Sequence, residues 1–195
     1  MNIMTKITTL AILAVAACAA GEAQRKVTVC MLEETGLGTE RTQVAQARGI
    51  ASEMFAPVGV KLDWRCPKSG PQGTIVISLA TGSENLKPGD LAYALPYEGI
   101  HIVIFYDRVR KKGSNRIAGV LAHVIVHEIA HILQGFPRHS ATGVMKARWD
   151  ANDFSDMDWK PLSFTDDDID LIRRGLDARE ARLAGATLMV SNHVQ

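Results

Sequence analysis

The sequence predicts an α/β (α+β) domain in which a mixed sheet packs against one long apolar helix. Three observations predict it. Short β-branched runs bounded by turn residues recur through the first half of the chain. A helical stripe interrupts them once, between the first two runs. An apolar helix, residues 117 to 134, follows the last run and is stopped by Gly135 and Pro137. With 195 residues and 47% hydrophobic composition, the chain can bury one sizeable core, and no linker or repeat divides it.

The elements follow in order. Residues 26 to 32, rich in Val and Thr, read as a first strand. Thr42 to Phe55 places Val44, Ala47, Ile50, Ala51 and Met54 on one helical face, and Pro57-Val58-Gly59 ends it. Val60 to Cys66 is a second strand and Thr74 to Ala80 a third, with the turn Gly70-Pro71-Gln72-Gly73 between them. Leu91 to Leu95 is a short strand, and Gly99 to Asp107 a strong one. The basic run from Arg108 to Lys112 reads as a solvated loop. Residues 139 to 163 are irregular. Thr165 caps a last helix with Asp166, Asp167 and Asp168 in its first turn, where the helix dipole favours acids, and the helix runs to about Leu183.

Lys plus Arg number 22 against 21 for Asp plus Glu, so there is no basic excess of the kind a nucleic-acid binder shows. The N-terminus reads as an export signal over residues 1–20: Lys6, then the apolar run Leu10 to Ala17, then small residues. That run is too short to span a bilayer, and no later segment reads as a span. Two processing routes compete. Val15-Ala16-Ala17-Cys18 resembles a bacterial lipobox with Cys18 as the lipidated residue, whereas Ala17-Cys18-Ala19, or Cys18-Ala19-Ala20, suits ordinary signal peptidase. The expected location is therefore periplasmic, outer-membrane lipoprotein or secreted, with a membrane reached only through a lipid on Cys18. A single domain over residues 24–185 and a tail over 186–195 follow. Removing Cys18 leaves Cys30 and Cys66, and an even pair in an exported protein favours a disulfide over free thiols or a zinc-thiolate site.

The chemistry lies in His127-Glu128-Ile129-Ala130-His131. Residues four apart share a helix face, so both imidazoles can converge on one ion, and Glu128 can reach a water beside it. Such a pentapeptide arises by chance in roughly one chain in a hundred of this composition and length. Its setting carries more weight. Two histidines and a glutamate inside an apolar helix would otherwise bury polar groups without partners. Catalytic zinc takes three protein ligands, and His139 follows Gly135 by four residues, where a turn can fold it back as the third. Asp150, Asp153 and Glu180 are the rival third ligands. His123, one turn earlier, reads as a core residue or as one that supports the ligands. His101 lies in the strand Gly99 to Asp107, a candidate edge for an extended peptide, and Tyr106 is a candidate oxyanion donor.

The string from His127 to His139 resembles the zinc-binding signature of the metzincin metallopeptidases, with Gly143-Val144-Met145 similar to that clan's Met-turn. The resemblance implies a zincin domain with an active-site helix, Zn2+ held by His127, His131 and His139, Met145 beneath the metal and Glu128 as general base. It implies a zinc endopeptidase acting on a peptide or protein substrate, and the chain is expected to be a monomer. A binding or structural module on the same fold, without catalysis, is the alternative. One departure stands out. The metzincin pattern has gaps of three residues before the glycine and before the third histidine, and both gaps here are four.

Overall fold

A computed structural model describes residues 24–33, 41–68, 73–82, 89–157 and 159–191, with the backbone alone for 186–191. The export-signal reading, Cys18 included, lies outside the described residues.

Strands β1 (Arg25–Glu33), β2 (Val60–Trp64), β3 (Ile75–Ala80), β4 (Ala92–Ala94) and β5 (His101–Phe105) form one sheet in the order β2-β1-β3-β5-β4. Four strands run parallel, and β4 alone pairs antiparallel, against β5. The expected mixed sheet is present. Alternation along β3 buries Ile75, Ile77 and Leu79 on one face and leaves Val76, Ser78 and Ala80 partly covered on the other.

Helices α1 (Arg41–Phe55) and α3 (Ile117–Gln134) pack against each other and contribute with the strands to one core. α3 has no solvated stripe: Val120 through Gln134 are all buried. It touches α1, β4, β5 and the two helices α2 (Tyr106–Gly113) and α5 (Asp166–Ser191). Burying Leu121, Ile125 and Ile129 completely contributes about 1.5–3 kcal/mol each. By length and composition the stretch Tyr106–Gln134 could cross a bilayer, but most of its apolar window is buried inside this fold, as a core helix is. At its C-terminus Gly135 adopts φ 81° and donates its N–H to the His131 carbonyl, the left-handed stop expected of glycine.

α5 crosses the starting ends of the parallel strands. The Arg179 guanidinium, 8% exposed, donates to the carbonyls of Gly99 and Gly73, just before β5 and β3. Arg25, opening β1, pairs with Asp177 and Glu180. Gly175 lies against the end of α3 so closely that a β-carbon there would meet the Leu133 carbonyl at 1.7 Å.

Cys30 on β1 is bonded to Cys66 just beyond β2, with Cα atoms 4.5 Å apart, because those two strands are neighbours in parallel register. Four local readings change. The strong strand ends at Phe105, and Tyr106 and Asp107 begin α2 instead. The basic run is therefore helical rather than a loop: Tyr106, Val109 and Gly113 face inward while Arg110, Lys111 and Lys112 lie in the last turn, where the dipole favours cations. A short capped helix, α4 (Ala151–Asp156), interrupts the segment expected to be irregular, and α5 continues past Leu183 to Ser191.

Candidate metal centre

His127 and His131 project from one face of α3, and their Nε2 atoms meet at 3.0 Å. Nδ1 of His127 donates to the Val144 carbonyl at 2.9 Å, which leaves its Nε2 as a lone pair. His131 lacks a hydrogen-bond partner for Nδ1. Burial pushes both imidazoles well below their ordinary values, His127 to about 4 and His131 to about 3, with His139 adding to the push on each. Both are neutral at neutral pH and offer basic nitrogens, as metal ligands must.

His139 completes the group. Its ring centroid lies 5.2 Å from that of His127 and 4.9 Å from that of His131. One ligand atom from each of the three falls within 4.8 Å of the others, so the set can hold a metal ion. A tetrahedral ion with bonds of about 2.0–2.1 Å holds its ligand atoms about 3.4 Å apart. The His127 and His131 nitrogens, 3.0 Å apart, lie close to that value, and all three ligand atoms fall within 4.8 Å of one another. With the proton of His127 on Nδ1, the close contact is an N–H···N hydrogen bond from His131 Nε2, and a cation reached by all three histidines would take the place of that bond. The residues therefore fit a zinc ion. His139 is exposed while the other two are nearly buried, so the group opens to solvent on its side.

The widened spacing is absorbed by the segment that carries His139. Gly135 ends the helix, Arg138 N–H returns to the Phe136 carbonyl at 3.0 Å, and Ser140 N–H donates to the Met145 carbonyl at 2.8 Å. On either side of His139, Arg138 Nη1 lies 3.4 Å and Ser140 Oγ 2.6 Å from Oδ1 of Asp168.

Gly143 to Lys146 form a tight turn, closed by Lys146 N–H to the Gly143 carbonyl at 3.3 Å. Gly143 has φ 75°, and a β-carbon there would sit 2.3 Å from the Ser163 carbonyl. Met145 is fully buried in this turn. Since Val144 supplies the carbonyl that His127 bonds, the turn lies directly behind the first histidine.

Glu128 is 8% exposed. Burial foremost, and Asp90 second, raise its carboxyl to about 8, while the Ala94 backbone N–H bonds it and opposes the rise. Ala94 belongs to β4, the edge strand. Leu91 and Leu95 exchange backbone bonds with β5, so by alternation the N–H and C=O groups of Ala92 and Ala94 point away from the sheet. Among the described residues β4 is the outer strand of the sheet, and its outward backbone runs past Glu128.

The remaining candidates lie elsewhere. His101 sits on β5, which is interior to the sheet, so β4 and not the His101 strand is the edge. Tyr106 is fully buried in the core at the start of α2, and its hydroxyl has no partner among the described residues. Asp150 and Asp153 are held by Lys146 at 2.7 and 2.6 Å and cap α4. Glu180 is occupied by Arg25. His123 is fully buried and satisfied at both nitrogens, donating to the Gly119 carbonyl at 2.7 Å and accepting from Leu162 N–H at 3.0 Å. Sequence reasoning missed Trp149, whose ring stands edge-on to His127 and His123, and the bonds of Asp168. Asp168 differs from Asp166 and Asp167 locally, as the third residue of α5 in capping-box spacing from Thr165, but nothing local marks its second oxygen for the His139 segment.

No family model matches the chain, and no curated protein sequence does. Among solved structures, archaemetzincin from Methanopyrus kandleri superposes with a TM-score of 0.51 over 82% of this chain and 99% of that one, at 14% identity. At that identity the likeness is one of architecture: this chain has a metzincin-like zincin fold.

Proposed function

We propose that the chain is an exported zinc-dependent metallopeptidase. The observation that carries this reading is the convergence of His127, His131 and His139 to within 4.8 Å beside Glu128, on a fold like that of archaemetzincin. His127, His131 and His139 would hold the ion through their ring nitrogens. Zinc bound there supplies a Lewis acid for a peptide carbonyl and acidifies water.

The other work falls to the chain's own groups. An extended peptide would add along the outer edge of β4, pairing with the outward backbone of Ala92, while the Ala94 N–H stays with Glu128. That register carries a peptide bond past the Glu128 carboxyl. Glu128 takes the proton of the attacking water and returns it to the leaving amine nitrogen, so that the peptide bond breaks into a carboxylate and an amine. Its raised pKa suits the returning half of that task, and a nearby dication favours the carboxylate needed for the first half. Met145 lies in the turn behind His127 and supports the ligand from below. The exposure of His139 favours a site that substrate can reach over a buried structural metal. The Cys30–Cys66 disulfide supports export to an oxidising compartment. Cys18 as a lipid anchor rests on the sequence alone.

Metal analysis of the purified protein, with His139→Ala and Glu128→Gln beside the parent, tests this. The parent should carry one zinc, His139→Ala should weaken it, and Glu128→Gln should retain it while losing hydrolysis of unstructured protein substrates. A metal-free parent sinks the reading, and a fully active Glu128→Gln sinks the general base. A zinc-loaded parent that cleaves nothing would instead indicate a binding module on the same fold.

A further inference from the structure

The segment bearing the third histidine is held from outside its own loop, and Asp168 is the group that holds it. The side chain is 1% exposed and sits at the third position of α5. Its Oδ2 accepts from Thr165 N–H at 3.0 Å and from the Thr165 hydroxyl at 2.6 Å, while Asp168 N–H returns to Thr165 Oγ1 at 3.2 Å. One oxygen is thus spent on capping the helix. The other, Oδ1, faces away from the cap and takes Ser140 Oγ at 2.6 Å and Arg138 Nη1 at 3.4 Å. Those two residues are the immediate neighbours of His139. Ser140 is also tied by its backbone N–H to the Met145 carbonyl, so a single residue joins α5, the turn behind His127 and the third histidine.

We propose that Asp168 is the positioning residue for His139, acting through Ser140 and Arg138 to keep that imidazole within reach of the two on α3. This rests on the three-histidine zinc reading. Helix capping alone requires only the Thr165 side of the carboxylate, so the bonds on Oδ1 are surplus to it. They also supply what the widened spacing removes. With His131 and His139 each four positions from Gly135 instead of three, the loop has more ways to carry His139 away from the ion, and a second carboxylate oxygen on both flanks narrows them. α5 is itself seated on the sheet by Arg179 and Arg25, so the reference point is rigid.

The test is zinc affinity, by competition with a chromophoric chelator, for the parent, Ser140→Ala, Ser140→Thr and Asp168→Asn, each alone and combined with His139→Ala. Ser140→Ala leaves the Thr165 cap intact and so separates positioning from capping. Melting of the chelated proteins checks that each variant folds. Ser140→Ala should weaken zinc about 10- to 100-fold in the parent background, the range for groups that orient ligands, and should change nothing further once His139 is gone. Ser140→Thr, which keeps the hydroxyl, should bind zinc as the parent does. Equal losses in both backgrounds, or no loss in either, overturn the proposal. If His139→Ala alone binds zinc like the parent, or the parent binds none, the three-histidine reading itself fails and takes the proposal with it.

Discussion

Nδ1 of His127 bonds the carbonyl of Val144 across 17 residues of sequence, so the first histidine of the helix and the turn containing Met145 set each other's position. The bond fixes which ring nitrogen carries the hydrogen and therefore which one faces the other histidines.

Gly143→Ala should break that arrangement from a distance. Its φ of 75° disfavours any side chain, and the new methyl would collide with the Ser163 carbonyl at 2.3 Å. The turn must shift, and the Val144 carbonyl with it. We expect zinc affinity to fall by about 10-fold or more and stability by about 1–3 kcal/mol. Isothermal titration of zinc and chemical denaturation measure the two, and unchanged zinc binding would show that His127 does not depend on the turn.

Stability of the metal-free protein should peak near pH 6.5. The folded values of His123, His127, His131 and His139 all lie below the ordinary 6.5, mainly through burial. Below pH 6.5 the unfolded chain binds more protons than the folded one, so stability is full above 6.5 and falls as the pH drops towards the folded values. Glu128 works in the opposite sense. Its folded value is raised to about 8, so its contribution is present below 4.5 and is lost as the pH rises through 8. Each fully displaced proton contributes a slope of about 1.4 kcal/mol per pH unit. Melting curves in chelator from pH 5 to 9 should show both limbs, and Glu128→Gln should lose the alkaline one. A parent flat between pH 6.5 and 8 would contradict this.

Cys30→Ser paired with Cys66→Ser should lower stability by about 3–4 kcal/mol, the chain-entropy value for a loop of 36 residues. Both cysteines lie at β1 and β2, on the far side of the sheet order from β4. Zinc affinity should therefore stay where it was while the denaturation midpoint falls. A parallel loss of zinc would mean that the two ends of the sheet are coupled.

Gly175→Ala should be among the most damaging small substitutions, because its methyl would enter the Leu133 carbonyl at 1.7 Å. α5 would have to lift off the end of α3, at a cost of about 2–4 kcal/mol. A midpoint unchanged from the parent would show that the two helices can separate freely.

How much of this was legible in the chain depends on how local the signal is. α3 was readable to the residue, since an unbroken apolar run meets a glycine with a left-handed backbone. The disulfide followed from an even pair of cysteines in a chain read as exported, and the parallel pairing of β1 with β2 brings them together. The start of α2 was not readable, because Phe105 and Tyr106 continue a β-like run and no side chain caps the helix. Edge and interior strands were confused for a different reason: β4 and β5 are neighbours in sequence, and only the long-range pairing of β3 with β5 makes β4 the outer one. Of the site, the three histidines, Glu128 and the Gly143–Met145 turn were in the sequence as spacing. Asp168 was legible as the capping-box partner of Thr165, but the bond of its second oxygen to Ser140 was not, because it joins segments 28 residues apart.

The last of these contacts has a bearing on when the site comes into being. α5 is made after every other helix, yet it supplies the carboxylate that grips the residues beside His139. A chain still being synthesised can hold a finished α3, with His127 and His131 in place, and lack the grip that brings the third imidazole to them. Completion of the histidine cluster thereby waits until Asp168 and the start of α5 have joined the fold.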